Sequence, residues 1–180
     1  MSTYALLMAA PALGLVVWAA ITDLHSRRIP NWLTFSLILS GLTQSVAFGA
    51  LCSPVESLCG MFLGASLLFC LFAIGAVGGA DVKLLAGLGA WFGPVAVLQL
   101  FCVEAVIGAV VVLIQATMQG RTGALVRNSA VLAVNLAHMS DVGAAHVKAT
   151  GQSSRSIERP LPYAVPILLA LLILLGMNWR

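Results

Sequence analysis

Long apolar runs separated by short polar breaks make up most of this chain. A helix needs roughly 20 apolar residues to cross about 30 Å of hydrocarbon. Residues 4–22, 32–51, 57–77, 95–118 and 161–178 meet that length. One further run, 84–92, is too short to cross alone, even when a helix begins near Asp81. It ends at Trp91-Phe92-Gly93-Pro94. Irregular backbone at membrane depth is tolerated only where it faces protein or a water-filled cavity. The pattern predicts an all-α, polytopic membrane helical bundle of about six transmembrane segments, the fourth of them short. No stretch reads as a separate soluble module, so 1–180 is expected to be one domain.

Composition agrees with the pattern. Of the 180 residues, 61% are hydrophobic and 8% charged, and the mean hydropathy is +1.04. Soluble domains carry about a quarter charged residues, so this chain could not coat a water-facing surface. The most polar region is 119–160, expected as a cytoplasmic loop. Within it, 122–139 has a partly apolar helical pattern that fits a membrane-surface helix. Residues 148–160 read as a linker, which leaves surface helix, lid and linker as open roles for the region.

Charge placement orients the spans. Arg27 and Arg28 follow the first span, and Lys83 follows the third. Arg121, Arg127, Lys148, Arg155 and Arg159 follow the fifth. Eight of the nine basic residues thus fall on one side, with Arg180 opposite. The positive-inside rule makes that side cytoplasmic and puts both termini outside. Scattered in this way, the net charge of +3 reflects topology and not nucleic-acid binding. The N-terminal run has no basic residue before Arg27, so it reads as a permanent span and not a cleaved signal.

Metal and redox chemistry find little support. Cys52, Cys59, Cys70 and Cys102 form no C-x-x-C pair. Cys70 and Cys102 sit in apolar runs as small hydrophobes, and a Cys52–Cys59 disulfide is an open option. His25 has no second histidine at helical spacing, and His138 and His146 lie in the polar loop. No metal and no cofactor are expected.

The candidate chemistry rests on acids. Only six residues are Asp or Glu. Asp23 and Asp81 each follow an inward-running span, near a membrane boundary on the cytoplasmic side. Two carboxylates brought close together share one proton. The ionised partner can then activate water while the protonated one polarises a scissile carbonyl. A plainer reading stays open at this point: Asp23 capping a helix or pairing with Arg27 or Arg28, and Asp81 capping the fourth helix. Gly78 and Gly79 just before Asp81 permit the close backbone approach that an extended peptide substrate would need.

Several segments together resemble a known family. They are Asp23-x-x-x-x-Arg28-Ile29-Pro30-Asn31, then Gly78-Gly79-Ala80-Asp81-Val82-Lys83-Leu84, Trp91-Phe92-Gly93-Pro94, and Leu161-Pro162-Tyr163-Ala164-Val165-Pro166-Ile167. In this order and spacing they are similar to the type IV prepilin peptidases, a group of GxGD-type membrane aspartic peptidases. The resemblance implies that Asp23 and Asp81 are the catalytic pair, that Gly78, Gly79 and Lys83 support the site, and that the substrate is a prepilin with a short basic leader. It also implies a multi-pass protein of the bacterial inner membrane, with its active site facing the cytoplasm. The family usually has glycine immediately before the second aspartate, where this chain has Ala80. Alanine fits there if the backbone is helical and not if φ is positive. Longer family members carry a C-x-x-C region and methylate the new N-terminus. This chain resembles the short form of Flp (tight-adherence) pilus systems, which implies cleavage without methyl transfer and no S-adenosylmethionine site.

Other polar residues have simpler expectations. Arg27 and Arg28 serve topology. Lys83 either biases the acid pair or anchors at the interface. Glu104, deep in the fifth span, should face the bundle, with structural packing favoured over a role at the site. Gln99 and Gln115 are expected in helix–helix hydrogen bonds. Two other functions compete with a peptidase. One is a small transporter with Asp23, Asp81 and Glu104 on an ion or proton path. The other is a non-enzymatic assembly factor of a pilus or secretion machine. Nothing in these patterns sets the oligomeric state.

Overall fold

A computed structural model describes residues 3–49, 51–73, 77–120, 123 and 163–177. Those residues form six helices and no strand. They are α1 (Thr3–Ser26), α2 (Asn31–Ala47), α3 (Pro54–Ala73), α4 (Gly79–Phe92), α5 (Pro94–Met118) and α6 (Ala164–Gly176). The helical membrane bundle is therefore as expected. Three helices are long and apolar enough to cross a membrane alone: Leu7–Ser26, Pro54–Ala73 and Pro94–Met118. The expected surface helix at 122–139 and the linker at 148–160 fall almost wholly outside the described residues.

The shortness of α4 has a clear structural meaning. Every residue from Leu84 to Trp91 is buried. A helix that is apolar all round must be surrounded by protein or lipid, and here protein does it. α4 packs mainly between α2 and α3. Glycines permit that approach. A Cβ on Gly64 of α3 would meet the Leu85 carbonyl oxygen of α4 at 2.6 Å. A Cβ on Gly60 would collide with the backbone of Gly89, and one on Gly87 would meet Leu37 Cδ2 of α2 at 2.8 Å. Backbones this close gain dispersion contacts, which drive helix association in lipid.

Hydrogen bonds fix the far end of α4. The Trp91 indole N–H donates to the Leu37 carbonyl at 3.0 Å, and the Ser57 hydroxyl donates to the Ala90 carbonyl at 2.6 Å. The helix stops at Gly93, whose φ of 83° suits glycine, and Pro94 begins α5 at once. α6 packs against α5 and α1 and closes the other side of the bundle. Large apolar side chains such as Phe62, Phe69, Val106 and Leu113 point outward, as a lipid-facing surface requires.

One option that the sequence left open is closed by the structure. The Cys52–Cys59 disulfide is absent: both cysteines are free. The Cys52 thiol instead donates to the Trp91 carbonyl at 3.4 Å, and burial pushes its pKa up from 9.0 to about 11. The buried side-chain oxygen of Gln115 has no hydrogen-bond partner among the described residues.

Candidate active site

The first acid arrives on α1. That helix runs four residues past the expected span and ends at Ser26, so Asp23 lies in its last turn. Arg27 then takes a left-handed φ of 51° and turns the chain. Asp23 is buried, at 7% exposure. Its Oδ2 accepts the backbone N–H of Ala164 at 3.1 Å. This is one of the unpaired donors at the start of α6, so Asp23 caps a helix distant from its own in sequence. The plainer capping reading of Asp23 is thus correct as geometry.

The second acid arrives on α4. Asp81 occupies the first turn, and its Oδ2 accepts the Gly78 N–H at 3.2 Å. Ala80 is helical, and the positive-φ problem does not arise for it. Gly78 is not left-handed either, with φ −77° and ψ 150°. Its value is space: a Cβ there would stand 3.1 Å from Asp81 Oδ2. A Cβ on Gly79 would press the Phe72 ring at 3.2 Å.

Asp23 and Asp81 line a single cavity of about 780 Å³. They are close enough for the charge of Asp23 to act on Asp81. The walls are largely apolar and include Leu71, Val77, Phe101, Val112 and Pro166. Among such walls charges are poorly screened. Arg27 and Arg28, for which the sequence favoured a topological role, also line this cavity. Gly78 and Gly79 contribute to the wall. Lys83 does not. Its Nζ donates to Asn31 Oδ1 at 3.0 Å and sits 5.3 Å from the Phe35 ring centroid, tying α4 to α2.

Sequence reasoning underrated one residue. Glu104 of α5 is 2% exposed and lines the same cavity as the two aspartates. Its carboxyl is hydrogen-bonded to the Tyr163 hydroxyl, while Oε2 has no partner among the described residues. A signal was available: Glu104 is the sole acid within 94–118. No group of three or more metal-ligating side chains with metal-site geometry occurs among the described residues.

The fold and its cavity define a helical membrane protein in which carboxylates from separate helices, Asp23 and Glu104 buried and Asp81 half-buried, line one cavity. Comparison with known proteins is more specific. The sequence matches the type IV leader peptidase family over residues 11–113, more than half of the chain, and the protein belongs to that family. It is 35% identical over 115 residues to proteins named prepilin leader peptidase/N-methyltransferase from Burkholderia pseudomallei strains 1026b and K96243. That match covers 60% of this chain and 36% of each relative, so the chain spans about a third of the length of the curated relatives it matches. No solved structure matches it.

Proposed function

We propose that this protein is an aspartic endopeptidase that removes the short basic leader of type IV, Flp-like prepilins at the cytoplasmic face of the bacterial inner membrane. One observation carries the reading: Asp23 and Asp81, from different helices, line a single apolar-walled cavity. The family match supports the leader-peptidase class.

In this mechanism water lies between the two carboxyl groups. The ionised aspartate takes its proton as the oxygen attacks the scissile carbonyl. The protonated aspartate hydrogen-bonds the carbonyl oxygen and stabilises the developing oxyanion. Collapse of the tetrahedral intermediate breaks the C–N bond, and the amine leaves with a proton from the pair. The capped position of Asp23 against Ala164 fixes its carboxyl while this occurs. The cleavage chemistry calls on no metal and no cofactor.

The test is cleavage of a purified Flp-like prepilin in detergent or liposomes. Asp23→Asn and Asp81→Asn keep size and remove the acid. Each alone should lower the rate by about 10²–10⁴, the usual contribution of acid–base groups. A variant that cleaves at the wild-type rate would exclude the pair. A second reading, a proton path, draws on the convergence of Asp23, Asp81 and Glu104 in one cavity. It predicts proton uptake by liposomes and no processing by any variant.

A further inference from the structure

The acid pair is held by more than its own helices. Ala164 donates its N–H to Asp23, and its neighbour Tyr163 is hydrogen-bonded through its hydroxyl to Glu104. Two consecutive residues at the start of α6 thus join α1 on one side and α5 on the other. Glu104 is almost fully buried, and its second oxygen finds no partner among the described residues. Burying an incompletely satisfied carboxyl group costs stability. A hydrophobic residue would pack more favourably at a purely structural position in this span.

We propose that Glu104 is a positioning residue for the acid pair, acting through Tyr163. Its carboxyl holds the Tyr163 hydroxyl. That bond fixes the first turn of α6, which keeps the Ala164 N–H on Asp23 Oδ2. Glu104 touches neither the water nor the scissile bond in this scheme. It sets where Asp23 stands relative to Asp81. Placement of a reacting group matters steeply, since a shift of about 1 Å can cost roughly a hundredfold in rate. The inference rests on the aspartic-peptidase reading above.

The test uses full-length protein with Glu104→Leu, Glu104→Gln, Tyr163→Phe and the double variant E104L/Y163F. Prepilin cleavage is followed as kcat and KM across pH, with thermal unfolding measured alongside. Glu104→Leu and Tyr163→Phe should each lower kcat about tenfold, the kinetic equivalent of one lost hydrogen bond. KM should stay near wild type, and the pH profile of kcat should shift, because Asp23 loses its fixed donor. The double variant should be no slower than the slower single, since both break one chain of contacts. Glu104→Gln keeps a partner for the hydroxyl and should retain most of the rate. If Glu104→Leu fails to fold, Tyr163→Phe decides, because it removes only a hydroxyl. Wild-type kcat and pH profile in Tyr163→Phe, or multiplying losses in the double variant, would overturn the proposal. A wild-type protein that cuts no prepilin overturns the peptidase reading, and this inference with it.

Discussion

Gly64 offers a direct test of how α4 is held. Replacing it with alanine adds one carbon on the face of α3 that meets α4. That carbon would stand 2.6 Å from the Leu85 carbonyl oxygen, whereas ordinary contact begins at 3.4 Å. The shortfall is 0.8 Å, the difference of those two distances. The opposing atoms belong to helix backbone, at Leu85 and Ala86, and cannot rotate away. The two helices must therefore separate by most of that distance. Overpacking of this kind costs about 1–3 kcal/mol. Asp81 stands in the first turn of α4, one turn from Leu85, so it moves with the helix. Gly64→Ala should lower the thermal midpoint in detergent and slow prepilin cleavage. Gly14 provides the contrast. It is exposed within α1, and a Cβ there meets no described residue within 4 Å. Gly14→Ala should stabilise by about 0.5–1 kcal/mol through backbone entropy. A Gly64→Ala protein as stable and active as wild type would refute the close α3–α4 contact.

Further outcomes follow from the same geometry. Lys83→Met removes the bond to Asn31 and the contact with Phe35, and should cost about 0.5–1 kcal/mol of thermal stability while leaving cleavage near wild type. Gly108 lines the cavity, and a Cβ there meets no described residue within 4 Å, so Gly108→Phe should fill the cavity and raise KM for prepilin more than it lowers kcat. The Cys52 thiol, with its pKa near 11, should resist maleimide at pH 7 and react as pH rises towards that value. Its folded pKa lies above the ordinary thiol value of 9.0, so the neutral thiol favours the folded state below pH 9. That contribution is lost between pH 9 and 11, which chemical denaturation at several pH values would detect.

The bundle was legible in the sequence because the bilayer imposes its demands locally. Every backbone polar group in lipid must be bonded within its own helix, so apolar length alone marks the spans. That logic located α1, α3 and α5, and it marked 84–92 as a segment that needed protein around it. The family resemblance, carried by the motifs around Asp23 and Asp81, was also readable from residue order. What the chain order did not disclose was convergence. Hydropathy says which residues leave water, not which of them meet. It could not show that Asp23 would take its hydrogen bond from Ala164, a partner on the last helix, or that Arg27 and Arg28 would line the cavity. Lys83 sits two residues from Asp81 yet turns to Asn31, because a residue two positions along a helix faces another side. Glu104 read as a packing residue in an apolar span, and only tertiary structure brought it beside the two aspartates. Burial in lipid is a property of each segment, while a site made from α1, α4, α5 and α6 depends on how the segments pack together.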